Sequence, residues 1–239
     1  MSKKLLLCLL INVIGLTSAA SAHYLWVTID KKAGDHGVTN IYFEGGPGAG
    51  DGQYLDPFLK AGKTWLRTVE NTKPRLLKTT EAKAPNKRWL SAQLSQQGPR
   101  SIDSYGKWGV YRYGETDVLL HYYGRHLDVQ THEDLHELGR AELMNLDIVP
   151  HDAGADMKLT VLWKGQPVAD RLVYVRGPQG FKKNAKTNAK GEMSFTLKGK
   201  GRYTFRTNVE QKATGKDGEK SYSLIRHHAT MVMQLPLEK

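Results

Sequence analysis

The chain is 239 residues long, with 35 Lys and Arg against 24 Asp and Glu, a formal charge of +11 with histidine neutral. That excess favours anionic surfaces such as a membrane leaflet or an acidic partner, and in the absence of a recognition motif it does not point to nucleic acid. The only cysteine, Cys8, lies within the first 22 residues, which excludes thiol ligands, cysteine nucleophiles and disulfides from the rest of the chain.

Residues 1–22 read as a secretory signal peptide. Lys3 and Lys4 give a basic start, Leu5 to Leu16 an apolar run too short for a membrane anchor, and Ala20-Ser21-Ala22 a small-residue cleavage pattern. Cleavage after Ala22 leaves a periplasmic product of 217 residues that begins at His23 and carries 33 basic residues against 24 acidic ones. No later apolar run reaches membrane-span length, so a soluble product is expected.

The remaining sequence predicts short strands throughout. Tyr24 to Ile29 and Val38 to Phe43 are rich in aromatic and β-branched residues. Gly45 to Gly52 is a loop without the Gly-Lys-Ser/Thr ending of a phosphate loop. Strands follow at Trp65 to Val69, Trp89 to Leu94, Gly109 to Tyr113 and Val118 to Tyr123, and Thr131 to Met144 is the one helical candidate. A boundary is expected near Pro150 to Asp156. Beyond it come strands at Lys158 to Trp163, Arg171 to Arg176, Glu192 to Leu197, Tyr203 to Val209 and Ala229 to Leu235, with a charged loop at Lys212 to Lys220. The expected fold is mainly β: two β-sandwich domains, residues 23–147 and 148–239, joined by one short connecting helix. The second domain is immunoglobulin-like, transthyretin-like or carboxypeptidase-regulatory-like.

His23 is the sharpest chemical feature. As a first residue it offers an imidazole and an α-amine that titrates near pH 8, so a metal can displace the amine's proton at neutral pH. Amine and ring Nδ1 can close a chelate, and a second imidazole would complete a three-nitrogen site suited to Cu(II) or Ni(II). Candidate partners are His121 and His126, on and just past a strand, and His227 and His228, which open the last strand and point to opposite faces. His132-Glu133-Asp134-Leu135-His136 offers a rival reading, the zinc-peptidase pattern H-E-x-x-H. Gly139 and Glu142 then occupy the positions where the longer metzincin pattern places glycine and a third histidine. The competing reading of that stretch is a solvated connector with Leu135, Leu138 and Leu143 packed on the domain. A third reading is a metal-free adhesion or assembly module.

Several short segments carry a resemblance: Ala22-His23-x-x-Trp26, Tyr105-Gly-Lys-Trp-Gly-Val-Tyr111, Leu119-Leu-His-Tyr-Tyr123 and Leu146-Asp-Ile-Val-Pro150. Leu159 through Val168, Thr187-Asn-Ala-Lys-Gly191 and Gly201-Arg-Tyr203 extend it over most of the mature chain. The chain resembles a bacterial periplasmic family of unknown function associated with nickel or cobalt uptake. The resemblance implies a β-sandwich, export, and handling of a divalent transition metal (nickel, cobalt or copper) beside a transporter component or outer-membrane receptor. It implies His23 as a ligand, and the expected role is binding without covalent chemistry.

Overall fold

A computed structural model describes residues 23–238, so the expected signal segment lies outside the described residues. The chain opens with β1 (Tyr24–Asp30) and β2 (Val38–Glu44), then α1 (Asp56–Ala61), β3 (Lys63–Thr68), β4 (Arg75–Leu77), β5 (Thr80–Ala84) and β6 (Lys87–Gln93). Two long strands, β7 (Arg100–Tyr113) and β8 (Thr116–Asp128), precede α2 (His132–Leu138). The remainder comprises β9 (Leu146–Ala153), β10 (Asp156–Trp163), β11 (Gln166–Pro167), β12 (Leu172–Arg176), β13 (Lys182–Lys186) and β14 (Glu192–Thr196). It closes with the hairpin β15 (Gly201–Asp217) and β16 (Lys220–Leu235).

These strands form stacked sheets, and the chain is mainly β as its composition predicts. One sheet has the order β1-β2-β6-β5, and a second is built on β10 with β9, β11 and β14. The third has eight strands, ordered β13-β12-β15-β16-β8-β7-β3-β4. Its centre is a parallel pairing of β16 with β8, running from Leu224 opposite Val118 to Met233 opposite Leu127. Four of its strands precede the 147/148 division and four follow it, and the division itself falls inside β9.

The two-residue period of a strand explains where the cores lie. Val118, Leu120 and Tyr122 of β8 face one way and pack with Leu25, Val27, Ile41 and Phe43 of the first sheet and Phe58 of α1. Tyr123 and Leu127 face the other way and pack with Leu146, Leu159, Val161 and Phe195 of the second sheet, together with Met231 and Met233 of β16. The eight-stranded sheet is therefore the shared middle layer, and β1 lies directly on it. Gly124 makes this approach possible, because a Cβ there would sit 2.7 Å from the Leu25 carbonyl oxygen. The Thr230 hydroxyl donates to the same carbonyl.

The sequence reading expected one helix, and the structure has a second, α1, whose first turn is opened by Pro57; three further details differ. The helix expected over 131–144 ends at Leu138. Thr131 caps its start in a reciprocal box with Asp134. Its end is captured by buried arginines: Arg67 donates to the carbonyls of Leu138 and Arg140, and Arg125 to those of Leu138 and Gly139. Ala141 N–H turns away to Asp147 Oδ2 at 2.8 Å, so the helix does not continue. The charged segment expected as a loop at 212–220 instead continues the ladder of β15 and β16, with Asp217 opposite Lys220 around a tight turn at Gly218. Pro150, expected at a boundary, lies in β9 beside a register shift, where a missing N–H is tolerated.

Candidate metal centre

His23 immediately precedes β1, and the register of β1 with β2 places Tyr24 opposite Glu44. His23 Nε2 stands 3.7 Å from Glu44 Oε2, with both side chains largely buried. The imidazole also lies edge-on to Tyr54, with ring centroids 5.1 Å apart, and near Phe43 at 5.7 Å. The Gly-rich loop explains how a carboxylate is held here. Gly52 N–H donates to Glu44 Oε1 at 3.1 Å, and a side chain at Gly50 would collide with the Glu44 carboxyl group. Trp26 Nε1 donates to the Glu44 carbonyl at 3.0 Å and fixes the exit of β2.

The other predicted histidines occupy separate places. His121 and His227 are register partners on β8 and β16, and their rings stack at 4.8 Å with an 18° tilt. His121 Nδ1 pairs with the Tyr105 hydroxyl at 2.8 Å. His227 Nδ1 meets the Tyr123 hydroxyl at 3.3 Å, and its Nε2 meets Gln211 Oε1 at 3.0 Å. Gln211 can only accept through that oxygen, so Nε2 carries the hydrogen and Tyr123 donates to Nδ1. Burial, with the neighbouring His121 and Lys164, pushes the His227 pKa down to about 3. Burial and Lys107 also lower His121. Both rings are therefore neutral near pH 7 and committed to a hydrogen-bonded aromatic cluster that includes Trp163, 4.3 Å from His227.

His228 points to the opposite face, as the strand period requires. It stacks on Tyr122 at 5.0 Å and meets Tyr24 edge-on, and burial lowers its pKa to about 3. His126 is buried beneath β1, with Nδ1 3.3 Å from the Val27 carbonyl, and burial lowers it to about 4. Among the described residues, no three His, Cys, Asp or Glu side chains are gathered to hold one metal ion. A chelate through the His23 ring and amine draws on only one such side chain.

In the H-E-x-x-H segment, His132 Nε2 lies 3.1 Å from Asp152 Oδ1, while Glu133 and His136 are exposed. Glu142 stands 3.8 Å from Arg67. Sequence reasoning did not single out Glu44. Its signal was its position, closing a strand that pairs with His23's strand and opening the Gly-rich loop.

No family model and no curated protein matches the chain. Among solved structures, one titled "Biofilm associated protein - BSP domain" is similar over 89% of this chain and 52% of its own length, at 9% identity and a TM-score of 0.21. The chain thus spans about half of that structure, and a likeness at this level bears on neither fold nor function.

Proposed function

We propose that the mature chain is a periplasmic binder of a divalent transition metal (nickel, cobalt or copper) that acts in uptake or delivery. The observation that supports this is the His23–Glu44 contact at the point where signal cleavage would expose an α-amine. A histidine that ligates through one ring nitrogen commonly donates its other N–H to a carboxylate, which sets the tautomer and raises ligand basicity. Glu44 stands within ion-pair reach of Nε2, and Nδ1 with the amine is the pair that can close a six-membered chelate. Two nitrogens of this kind suit Cu(II) and Ni(II), with copper favoured on intrinsic affinity. A two-nitrogen chelate leaves coordination positions open, which suits a metal that is handed on to a transporter component or receptor. The net positive charge of the mature chain fits docking at an anionic partner or leaflet.

The test is competition against a chromophoric chelator with the mature protein and two variants. His23→Ala should abolish competition for Cu(II). Glu44→Gln should weaken binding about 10- to 100-fold, the range for carboxylates that orient a ligating histidine. Wild-type affinity in both variants would eliminate the reading.

A further inference from the structure

A cleft that shares Trp26 and the turn after Glu44 with the His23 site, but is lined by neither His23 nor Glu44, lies between the first sheet and the C-terminal half of the eight-stranded sheet. It encloses about 230 Å³ and is lined by Trp26, the Gly45–Pro47 turn, Tyr174, Arg176, Thr204 and Arg206. Among the described residues, no acidic side chain lines it. The register accounts for the grouping: Tyr174 pairs with Arg206 and Arg176 with Thr204, so all four side chains share one face of β12 and β15.

Arg206 is the unusual member. Its guanidinium carbon lies 4.6 Å from the ring centroid of Tyr24 and 4.6 Å from that of Tyr174. Among the described residues, Arg206 has neither an ion-pair partner nor a hydrogen-bond acceptor. The two rings hold the guanidinium by cation–π contact and leave its N–H groups unpaired among the described residues. Arg176 also has no carboxylate partner among the described residues; its Nη1 donates to the Val175 carbonyl and to Asn184 Oδ1. The cleft therefore presents two cations, one of them held against aromatic rings with its donors unpaired among the described residues.

We propose that this cleft binds a small carboxylate anion, with Arg206 as the bidentate anchor and Arg176 as the second contact. A carboxylate lies coplanar with a guanidinium and receives two parallel N–H bonds. Trp26, Pro47 and Tyr174 line the same cleft and offer apolar surface to the carbon chain of an organic acid, which inorganic phosphate lacks. The volume admits an acid of a few carbons. Pre-ordering of the fork by stacking reduces the side-chain entropy lost on binding. The inference does not depend on metal binding.

The experiment is titration of succinate, and separately of inorganic phosphate, into the mature protein, followed by calorimetry and by intrinsic tryptophan fluorescence, to which Trp26 in the cleft contributes. Wild type should bind succinate saturably and at least tenfold more tightly than phosphate. Arg206→Met should weaken succinate at least tenfold, and Arg206→Lys should not restore it, because an ammonium lacks the planar fork. Arg202→Met, an exposed arginine on the same strand outside the cleft, removes the same charge and should change affinity less than twofold. Near-UV circular dichroism confirms that each variant is folded. Phosphate binding as tightly as succinate would overturn the proposal, as would equal losses at positions 202 and 206 or no succinate binding at millimolar concentration.

Discussion

Arg125→Met removes the charge at the centre of the middle layer while keeping most of the side-chain volume. Arg125 is 1% exposed. Its Nε lies 3.1 Å from Asp103 Oδ1, and its Nη1 lies 3.1 Å from Asp147 Oδ1 and 2.8 Å from the Gly139 carbonyl. The variant leaves Asp147 without its cation, takes one of the two arginines from Asp103, which keeps Arg67 at 3.6 Å, and withdraws a cation from the C-terminal end of α2, where the helix dipole favours one. Removing one partner of a buried pair costs about 3 to 5 kcal/mol. For a chain of this size that corresponds to a fall in Tm of about 6 to 20 °C. Burial already pushes the Asp147 carboxyl above its ordinary pKa, against the opposing pull of Arg125. Loss of Arg125 should push it higher, and the double variant Arg125→Met/Asp147→Asn should recover part of the loss. The assay is urea unfolding followed by tryptophan fluorescence, with all four corners of the double-mutant cycle measured. A single-variant loss below about 1 kcal/mol, or strict additivity in the cycle, would refute the argument that these groups form one coupled network.

Three further outcomes are expected. Acid should destabilise the fold well above the carboxylate range. His227 and His228 titrate at about 3 and His126 at about 4 when folded, against about 6.5 when unfolded. The unfolded chain therefore binds more protons, and stability is full above about pH 6.5 and falls as pH drops toward 4, by up to about 1.4 kcal/mol per pH unit for each histidine. Urea midpoints at pH 7 and pH 5 check this, and equal midpoints would contradict it. Gly124→Ala should cost about 1 to 3 kcal/mol and loosen β1, because the new methyl group meets the Leu25 carbonyl. Hydrogen exchange at Leu25 to Val27 reads the effect directly. Thr131→Ala removes the cap of α2 and should cost about 1 kcal/mol, measured by the same unfolding assay.

The strand pattern was legible because alternation and β-branched content survive in a single sequence. Tyr24 to Ile29 and Val38 to Phe43 lie within β1 and β2 with the expected ends to within one residue. What alternation does not encode is pairing between distant strands. Nothing local in Val118 to Tyr123 or Ala229 to Leu235 says that these segments lie side by side and parallel, and that pairing builds the middle layer. The helix ended early for a similar reason. Its stop is set by Arg67 and Arg125, which come from β3 and β8. The opposite facing of His227 and His228 was readable from the two-residue period, whereas the Glu44 contact to His23 required knowing that β1 and β2 pair. Arg206 carried no sequence signal, because its meaning comes from two tyrosines on other strands.

The central claim is that the amine and ring of His23 chelate a metal with Glu44 behind the ring. The most direct measurement is calorimetric titration of Cu(II) and Ni(II) into the mature protein and into the same protein carrying one additional N-terminal glycine. The extension leaves every side chain in place and converts the His23 amine to an amide. The mature form should bind one tight equivalent, and affinity should fall at least a hundredfold in the extended form. Equal affinity in the two forms, or no binding in either, would contradict it.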